Sequence, residues 1–307
     1  MHLLISEQML SILIPTYNYN CVGLVTELHR QCNEVPVEFE IIVLDDGSQL
    51  FHIENQQINQ LSHCSYEVLG SNIGRSRIRN LLAQKAKYQQ LLFLDADVFP
   101  RDKNFISNYL AAASEVDMVV AGGLLYQANP PSKELMLRWK YGSAREARSV
   151  EERRKIPYQA LLASNFMISK KVLEKVPFCE EMPDLRREDT LFSYDLRKNN
   201  VKVIHVDNPV YHLGIDSFEV MMKKEHQSLD GLIYILEHDQ IDENYIKISR
   251  LYGIMKRWHL KGFFAGIFKL LRPALLKNLS SKDPSLKVYD LYRIGYLCFT
   301  KRYKSTH

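Results

Sequence analysis

Five short runs of apolar, largely β-branched residues lie in the first 125 residues, and segments of helical length separate most of them. Several runs are apolar at nearly every position, which is typical of strands that are buried on both faces. This alternation predicts right-handed crossovers and a mostly parallel, doubly wound α/β sheet. The predicted strands are Leu10–Ile14, Phe39–Leu44, Tyr66–Leu69, Leu91–Leu94 and Met118–Ala121, with helices expected over 20–33, 51–61, 74–87 and 102–115.

The regular alternation ends after Gly123. Residues 124–159 contain two adjacent prolines and a charged run, which predict an irregular, partly helical insertion. Further patterns predict a strand over 160–169, a helix over 188–199, a strand over 201–206 and a helix over 217–238. We therefore expect an α/β domain over residues 1–240, followed by a helical C-terminal extension over 241–307.

The formal net charge of +4 conceals an asymmetry along the chain. From Ile246 to the end there are 14 Lys and Arg against two acids, whereas the preceding residues carry 26 bases against 34 acids. This is not the distribution of a nucleic-acid-binding domain, but it indicates a C-terminal surface that meets an anionic partner.

The same basic region contains two amphipathic helical patterns. Leu251, Ile254, Met255 and Trp258 share one face, and a second apolar set runs from Phe263 through Phe268 to Leu271, where Pro273 is expected to end the helix. Basic amphipathic helices of this kind lie on anionic membrane surfaces. The alternative is a helical cap that packs on the sheet and keeps its basic side in water.

Targeting and redox signals point to the cytoplasm. No run of 18 or more apolar residues predicts a spanning helix, and the first residues, with Glu7 inside the apolar stretch, are interpreted as a strand rather than a signal peptide. Five scattered cysteines without a C-x-x-C pair predict neither a disulfide framework nor a zinc site.

Polar motifs follow three of the predicted strands at the ends where parallel sheets bind ligands. Asp45-Asp46-Gly47-Ser48 ends the second strand; adjacent carboxylates repel each other unless donors or a cation offset this, although a turn is the plainer interpretation. Asp95-Ala96-Asp97 ends the fourth strand with oxygen ligands that suit Mg²⁺ or Mn²⁺. Pro15-Thr16-Tyr17-Asn18 ends the first strand, where an aromatic ring can stack on a base, or Asn18 or Asn20 can cap a helix.

In this order the motifs resemble the family 2 glycosyltransferases of the GT-A fold, over about residues 9–240. The resemblance implies transfer of a sugar from a nucleoside diphosphate to an acceptor hydroxyl, in enzymes of the bacterial cell-surface polysaccharide type. The motifs that carry it are SILIPTYN (11–18), IIVLDDGS (41–48), NIGRSRIRN (72–80), LLFLDADV (91–98), REDTLFSYDLRKNN (187–200) and YHLG (211–214).

For the donor, the resemblance implies that Pro15 and Tyr17 lie against the base and that Asp46 accepts a base N–H. Uracil N3 offers such a donor and cytosine does not, so a UDP-sugar carrying a hexose or an N-acetylhexosamine is expected. Asp95 is expected to contact the ribose or a metal-bound water, with Asp45 as a supporting residue.

For the leaving group, the resemblance implies that Asp97 binds Mn²⁺ or Mg²⁺ and makes His212 of YHLG a further ligand. The alternative for His212 is a hydrogen-bonded, half-buried histidine. Arg79, one helical turn after Arg75, is expected to pair with the diphosphate, the alternative being a solvated basic face.

For the acceptor, the resemblance implies that Asp189 is the general base and that Glu188 positions the hydroxyl. Acids that merely complement the helix dipole are the alternative. One base without a separate nucleophile implies direct displacement with inversion at the anomeric carbon. The segment 140–157, near Trp139, is expected to act as a lid.

Other nucleotide-binding classes lack their signatures. No Walker A lysine follows NIGRSR, no G-x-G-x-x-G follows the first strand, and the Gly-rich loop of a sugar nucleotidyltransferase is missing. The remaining alternative is a non-catalytic nucleotide-sugar-binding scaffold of a glycan assembly complex. Expected partners are the UDP-sugar, a glycan or lipid-linked glycan acceptor and an anionic membrane surface, not nucleic acid. The expected location is cytoplasmic and peripheral on the inner face of the cytoplasmic membrane.

Overall fold

A computed structural model describes residues 8–113, 117–183 and 185–300. The chain divides into two compact units. The first comprises the chain up to Leu125, Ala147–Glu180 and Asp195–Gly214; the second comprises Tyr126–Glu146, Glu181–Tyr194 and the chain from Ile215 onward. The expected division at residue 240 stays a prediction.

Strands of the described residues form two sheets, both in the first unit. They are β1 (Gln8–Thr16), β2 (Val37–Asp45), β3 (Cys64–Val68), β4 (Gln90–Leu94), β5 (Val98–Pro100), β6 (Met118–Ala121), β7 (Leu124–Leu125), β8 (Asn165–Ser169), β9 (Lys202–His205) and β10 (Val210–His212).

The α-helices of the described residues follow the same chain order. They are α1 (Val22–Asn33), α2 (His52–Gln56), α3 (Arg75–Lys85), α4 (Phe105–Ala112), α5 (Met136–Arg145), α6 (Val150–Arg154), α7 (Lys170–Lys175), α8 (Glu188–Lys198), α9 (Phe218–Glu237), α10 (Lys247–Arg257), α11 (Lys261–Leu279) and α12 (Leu286–Phe299).

The large sheet has seven strands in the order β3-β2-β1-β4-β8-β6-β9. Among the strands that the structure describes in this sheet, only β8 runs antiparallel to its neighbours, so the predicted mostly parallel sheet is confirmed. In β1 and β4 the apolar runs are fully buried, as strands in the middle of a sheet covered on both faces must be. Thr16 stands opposite Asp45 in the register of β1 and β2, which brings the ends of these strands to one edge.

Several sequence predictions were wrong in detail. The strand predicted over 160–169 begins only at Asn165, and the helix predicted over 51–61 is the short α2 followed by a 3₁₀ turn. The small sheet β5-β10-β7 was not predicted, because strands of two or three residues leave no periodic signal. Residues 1–7 and the end of the helix expected over 102–115 lie outside the described residues.

The second unit is helical and has its own core. Leu137, Met222, Phe268 and Tyr292 contribute to this core, so helices α5, α9, α11 and α12 pack together. Helix α11 continues through Pro273 to Leu279, and the predicted stop at this proline was wrong. Pro273 is exposed, where the carbonyl that loses its backbone partner can bind water instead. Among the described residues, no helix is long and apolar enough to cross a bilayer.

Candidate functional site

The loops after β1 and β2 are tied together by Asn18. Its backbone N–H donates to Ser48 Oγ at 2.6 Å, and its Oδ1 accepts the N–H of Gln49 at 2.8 Å. Asn18 adopts a left-handed φ of 51°, which asparagine tolerates better than most residues. It therefore joins two loops and does not cap α1, whereas Asn20 accepts the N–H of Val22 in the first turn.

Tyr17 and Pro15 lie at this same edge of the sheet. Pro15 is paired in register with Leu44 and is half-buried, whereas the Tyr17 side chain is 53% exposed. An exposed aromatic ring beside anchored backbone is free to stack on a planar ligand. The predicted base contact is compatible with this placement and stays a prediction.

The two adjacent carboxylates after β2 have separate sets of donors. Asp45 accepts the Ser48 N–H at 2.8 Å and the Tyr66 hydroxyl at 2.6 Å, and its supporting role stays a prediction. Asp46 accepts the N–H groups of Ile73 at 2.7 Å and Gly74 at 3.1 Å. Burial raises the pKa of Asp46, and these two donors oppose the rise by favouring the ionised form.

Gly47 lets the loop after β2 pack directly on the segment before α3. Its φ is +74°, and a Cβ there would stand 2.9 Å from the carbonyl carbon of Ser71. Both the backbone conformation and the close approach therefore require glycine. Together with Asp46, this contact fixes residues 71–74, which lead into the N-terminus of α3.

Arg79 of α3 is buried and faces Asp95. Its Nη2 donates to Asp95 Oδ1 at 2.8 Å, and the guanidinium lies 5.5 Å from the centroid of the Phe178 ring. Burial raises the pKa of Asp95, and the charge of Arg79 opposes this rise. Arg79 thus positions Asp95, while Arg75, one turn earlier, is half-buried. The predicted diphosphate contact of Arg79 stays a prediction.

The small sheet brings His212 to Asp97. Strand β5 begins directly after Asp97 and pairs antiparallel with β10, so that Val98 stands opposite His212. His212 Nε2 lies 3.5 Å from Asp97 Oδ2. The N–H of Leu213 donates to the Asp97 carbonyl at 2.8 Å, and a side chain at Gly214 would overlap the Asp97 carboxylate. Residues 211–214 therefore pack against the Asp97 carboxylate and position it.

These two side chains fit a divalent cation that is shared with a substrate. Within the described parts of the chain, no group of three or more His, Cys, Asp or Glu side chains could hold a metal on its own. Asp97 and His212 are close enough to bind one ion and leave the remaining positions to substrate oxygens and water. The mixed oxygen and imidazole set favours Mn²⁺ over the harder Mg²⁺.

Two residues that the sequence did not single out organise this region. Asn55 is fully buried, accepts the N–H of Cys21 at 3.0 Å and donates to the carbonyl of Tyr19 at 2.9 Å. Burial raises the pKa of Tyr19, and the negative charge of Asp97 adds to the rise. In the sequence, only the polar run YNYN (17–20) pointed to Tyr19. Asn55 could not be singled out, because a buried asparagine inside a predicted helix has the same sequence pattern as a solvated one.

Arg153 anchors the segment that was expected to be a lid. The guanidinium is buried and donates to the carbonyls of Ala121, Gly122 and Val206 at 2.9–3.1 Å. It also donates to His205 Nδ1 at 3.0 Å, while His205 Nε2 donates to the Pro157 carbonyl at 2.8 Å. So many buried bonds to strand ends argue against lid motion of residues 150–157.

The predicted catalytic acids open helix α8 in the second unit. Glu188 and Asp189 are half-buried in its first turn. The backbone N–H of Arg187 donates to Glu188 Oε2 at 3.1 Å, and Asp189 Oδ1 accepts the N–H of Thr190 at 2.7 Å. Arg187 has a φ of 112°, which is strained for a residue with a side chain.

Helix α9 holds this strained turn. Arg187 Nε donates to the Ser228 carbonyl at 3.1 Å. One turn later on α9, a side chain at Gly231 would overlap the carbonyl oxygen of Arg186. The backbone just before Glu188 therefore packs directly against α9 at Gly231, which has no side chain. This packing offsets the backbone strain at Arg187 and sets where α8 begins.

Aromatic residues near the insertion have structural partners. Trp139 Nε1 donates to the Gln127 carbonyl at 2.8 Å, and the ring of Tyr141 packs edge-on against Tyr289. The Tyr158 hydroxyl donates to the Val201 carbonyl at 3.0 Å. Packing and hydrogen bonding therefore explain the positions of the Trp139, Tyr141 and Tyr158 side chains.

The family model described as glycosyl transferase family 2 matches residues 11–177, which is more than half of the chain. No curated protein matches the sequence. Among solved structures, mannosyltransferase PcManGT from Pyrobaculum calidifontis, in complex with GDP-Man and Mn²⁺, has a TM-score of 0.51 at 13% identity. That alignment covers 78% of this chain and 66% of the other.

Two more structures are similar. GalNAc-T7 with UDP, GalNAc and Mn²⁺ has a TM-score of 0.56 at 16% identity, over 82% of this chain and 55% of that one. S. aureus TarS 1–349 in complex with UDP-GlcNAc has a TM-score of 0.48 at 20% identity, over 93% and 90%. The chain thus spans about two thirds of the mannosyltransferase and about half of GalNAc-T7. At 13% and 16% identity, the similarities to mannosyltransferase PcManGT and to GalNAc-T7 establish the fold alone.

Proposed function

Because the chain belongs to glycosyl transferase family 2, we propose that it is an inverting, metal-dependent hexosyltransferase-type enzyme that uses a UDP-sugar. The sugar is a hexose or an N-acetylhexosamine, and the acceptor is a hydroxyl of a cell-surface glycan or its lipid-linked precursor. The observation that supports this most is the approach of His212 to Asp97, next to the strand ends that carry Asp46 and Asp95.

The nucleotide is assigned to the loops after β1 and β2. Asp46 and Asn18 hold these loops in place before any ligand binds, which lowers the entropic cost of binding. Tyr17 stacks on the base, and an unused lone pair of the Asp46 carboxylate accepts the N3–H of uracil. Of the two structures of similar fold, GalNAc-T7 contains UDP, as proposed here, whereas mannosyltransferase PcManGT contains GDP-Man.

The diphosphate is assigned to the region around Asp97, His212 and α3. Asp97 and His212 would hold Mn²⁺ or Mg²⁺, and a bound ion there offsets the charge that develops on the departing diphosphate. Arg79 is assigned to the diphosphate, and the more accessible Arg75 is a second candidate for a phosphate contact. Arg79 keeps Asp95 oriented toward the ribose or toward water on the ion.

The acceptor hydroxyl is assigned to the start of α8. Asp189 takes its proton while Glu188 orients it. The oxygen of the deprotonated acceptor attacks the anomeric carbon as the bond to the diphosphate breaks. Direct displacement of this kind inverts the anomeric configuration.

Release of UDP from a panel of UDP-hexoses and UDP-N-acetylhexosamines, with and without Mn²⁺, tests the proposal. We expect Mn²⁺-dependent release for one donor, abolished in Asp97→Asn and retained in the control Asp102→Asn. Proton NMR of the product should show the inverted anomer, and retention would contradict the mechanism. Binding of a UDP-sugar with no release under any condition would instead support the scaffold alternative.

A further inference from the structure

Helix α11 is apolar on two opposite faces. Its inward face carries Phe268 and Leu279, which are buried in the core of the second unit. The ring of Phe268 lies 5.2 Å from that of Tyr292, and a side chain at Gly295 would overlap it. The packing requirement of this helix within its unit is therefore met by one face alone.

The outer face of α11 is defined by Phe263, Ile267 and Leu270, which follow each other at helical spacing. Phe263 is 65% exposed and Leu270 is 79% exposed. The sequence pattern grouped Phe268 with these residues, but the structure puts Phe268 on the opposite side. A packed cap with a solvated basic side does not account for the exposure of these apolar residues.

Exposed apolar residues continue at the turn between α10 and α11. Trp258 is 71% exposed, and Leu260 is exposed as well. On α10, Ile254 and Leu251 are exposed one and two turns before Trp258. Clusters of exposed aromatic and aliphatic side chains mark a surface that meets a partner rather than water.

The charges around the outer face are of one sign. Residues 246–282 contain nine Lys and Arg and no Asp or Glu. Lys269, Arg272 and Lys277 are exposed on the same helix. A protein partner would have to be both apolar and acidic, whereas an anionic bilayer offers acyl chains beneath a layer of negative charge as a single surface.

We propose that the outer face of α11, together with Trp258, inserts into the headgroup region of an anionic lipid bilayer. The apolar side chains reach the acyl boundary, and the exposed lysines of the same helix, Lys269 and Lys277, pair with lipid phosphates. Indole rings favour this interfacial depth, which suits Trp258. The inference goes beyond the proposed reaction and does not depend on it.

Vesicle flotation of the full chain tests the proposal. We expect binding to phosphatidylcholine vesicles that contain phosphatidylglycerol, weak binding to phosphatidylcholine alone, and loss of binding as salt is raised. The variant Phe263→Ser/Ile267→Ser/Leu270→Ser should bind at least about tenfold more weakly. A matched control, Leu50→Ser/Ile53→Ser, removes two exposed apolar residues of the first unit and should bind like the wild type.

Further measurements keep the result interpretable. The triple variant should keep its far-UV circular dichroism and its thermal unfolding, since Phe263 and Leu270 are largely exposed. In a Trp139→Phe background, Trp258 emission should shift to the blue with anionic vesicles. Vesicle binding needs no sugar transfer, so a failure of the proposed reaction leaves this test unchanged.

Three outcomes would overturn the proposal. The first is no preference for anionic vesicles, and the second is equal binding of the wild type and the triple variant. The third is a dimer in sedimentation velocity that the triple substitution converts to a monomer, because the outer face would then be covered by a second copy of the chain.

Discussion

The carboxylate of Asp46 accepts the backbone N–H of Ile73 at 2.7 Å, so a residue at the end of β2 holds the segment that leads into α3. Asp46→Ala leaves the half-buried N–H groups of Ile73 and Gly74 without this acceptor, and we expect a loss of about 1–2 kcal/mol in the free energy of unfolding. Urea denaturation measures it. The control Glu67→Ala removes an exposed ion pair with Lys85 and should cost at most about 0.5 kcal/mol.

Arg79→Ala should impair stability and catalysis together. It removes the guanidinium that pairs with Asp95 and lies over the ring of Phe178. Because Asp95 is partly solvated, we expect the free energy of unfolding to fall by about 1–3 kcal/mol, which is less than for a fully buried ion pair. The rate of UDP release should fall at least about tenfold.

The comparison for Arg79 is Arg77, its exposed neighbour on α3. Arg77→Ala should change stability by less than about 0.5 kcal/mol and leave the rate intact. Equal effects of the two substitutions would show that the Arg79–Asp95 contact does not matter.

The sequence predicted the large sheet well because buried strands have a strong and local signature. The run of β4 is apolar without interruption and that of β1 is apolar except for the buried Ser11, and each ends at the polar motif that defines the edge of the sheet. The antiparallel direction of β8 and the small sheet depend on tertiary pairing between distant segments. The pattern of apolar residues contains no information on either.

Gly231→Ala should destabilise the chain although it lies inside a helix. At an unhindered helical position this change stabilises by about 0.5–1 kcal/mol, but here the new methyl group overlaps the Arg186 carbonyl and we expect a net loss of about 1–3 kcal/mol. Under the proposed function kcat should fall more than KM rises, because Glu188 and Asp189 follow directly.

The control for Gly231 is Gly266 of α11, where a new Cβ meets nothing within 4 Å. Gly266→Ala should stabilise by up to about 1 kcal/mol and leave kcat unchanged. A stabilising Gly231→Ala would contradict the described contact between α9 and the turn before α8.

His205 makes stability depend on pH. Burial lowers the pKa of His205, the Pro157 carbonyl opposes this, and the charge of Arg153 adds to it, so the unfolded chain binds a proton on this ring more readily than the folded one. Stability from this group is therefore fully present above about pH 6.5 and is lost as the pH falls below that value.

Urea denaturation at several pH values between neutrality and mild acid measures this dependence. In His205→Gln the free energy of unfolding should decline less steeply toward acid than in the wild type. Part of the decline should remain, because burial also lowers the pKa of His226. The exposed His259 serves as the control, and His259→Gln should retain the wild-type slope. An unchanged slope in His205→Gln would refute this assignment.

The site was only partly predictable from the sequence. The carboxylates after β2 and β4 stand out because acids at the ends of buried strands are locally unusual, and the structure brings both to one edge. The roles of Asn18, Asn55 and Gly231 could not be predicted, because each acts through backbone groups of a segment far away in the chain. A sequence pattern records side-chain types but not the carbonyls and amides that they meet.

Calorimetric titration with UDP, in the presence and absence of Mn²⁺, tests the assignment of Asp97 and His212 most directly. Mn²⁺ should tighten UDP binding at least about tenfold in the wild type and in the control Asp102→Asn. Asp97→Asn and His212→Asn should lose this gain while they keep the weaker, metal-independent affinity. If Asp97→Asn retains the full Mn²⁺-dependent gain, the ion is held elsewhere and the proposed donor site is wrong.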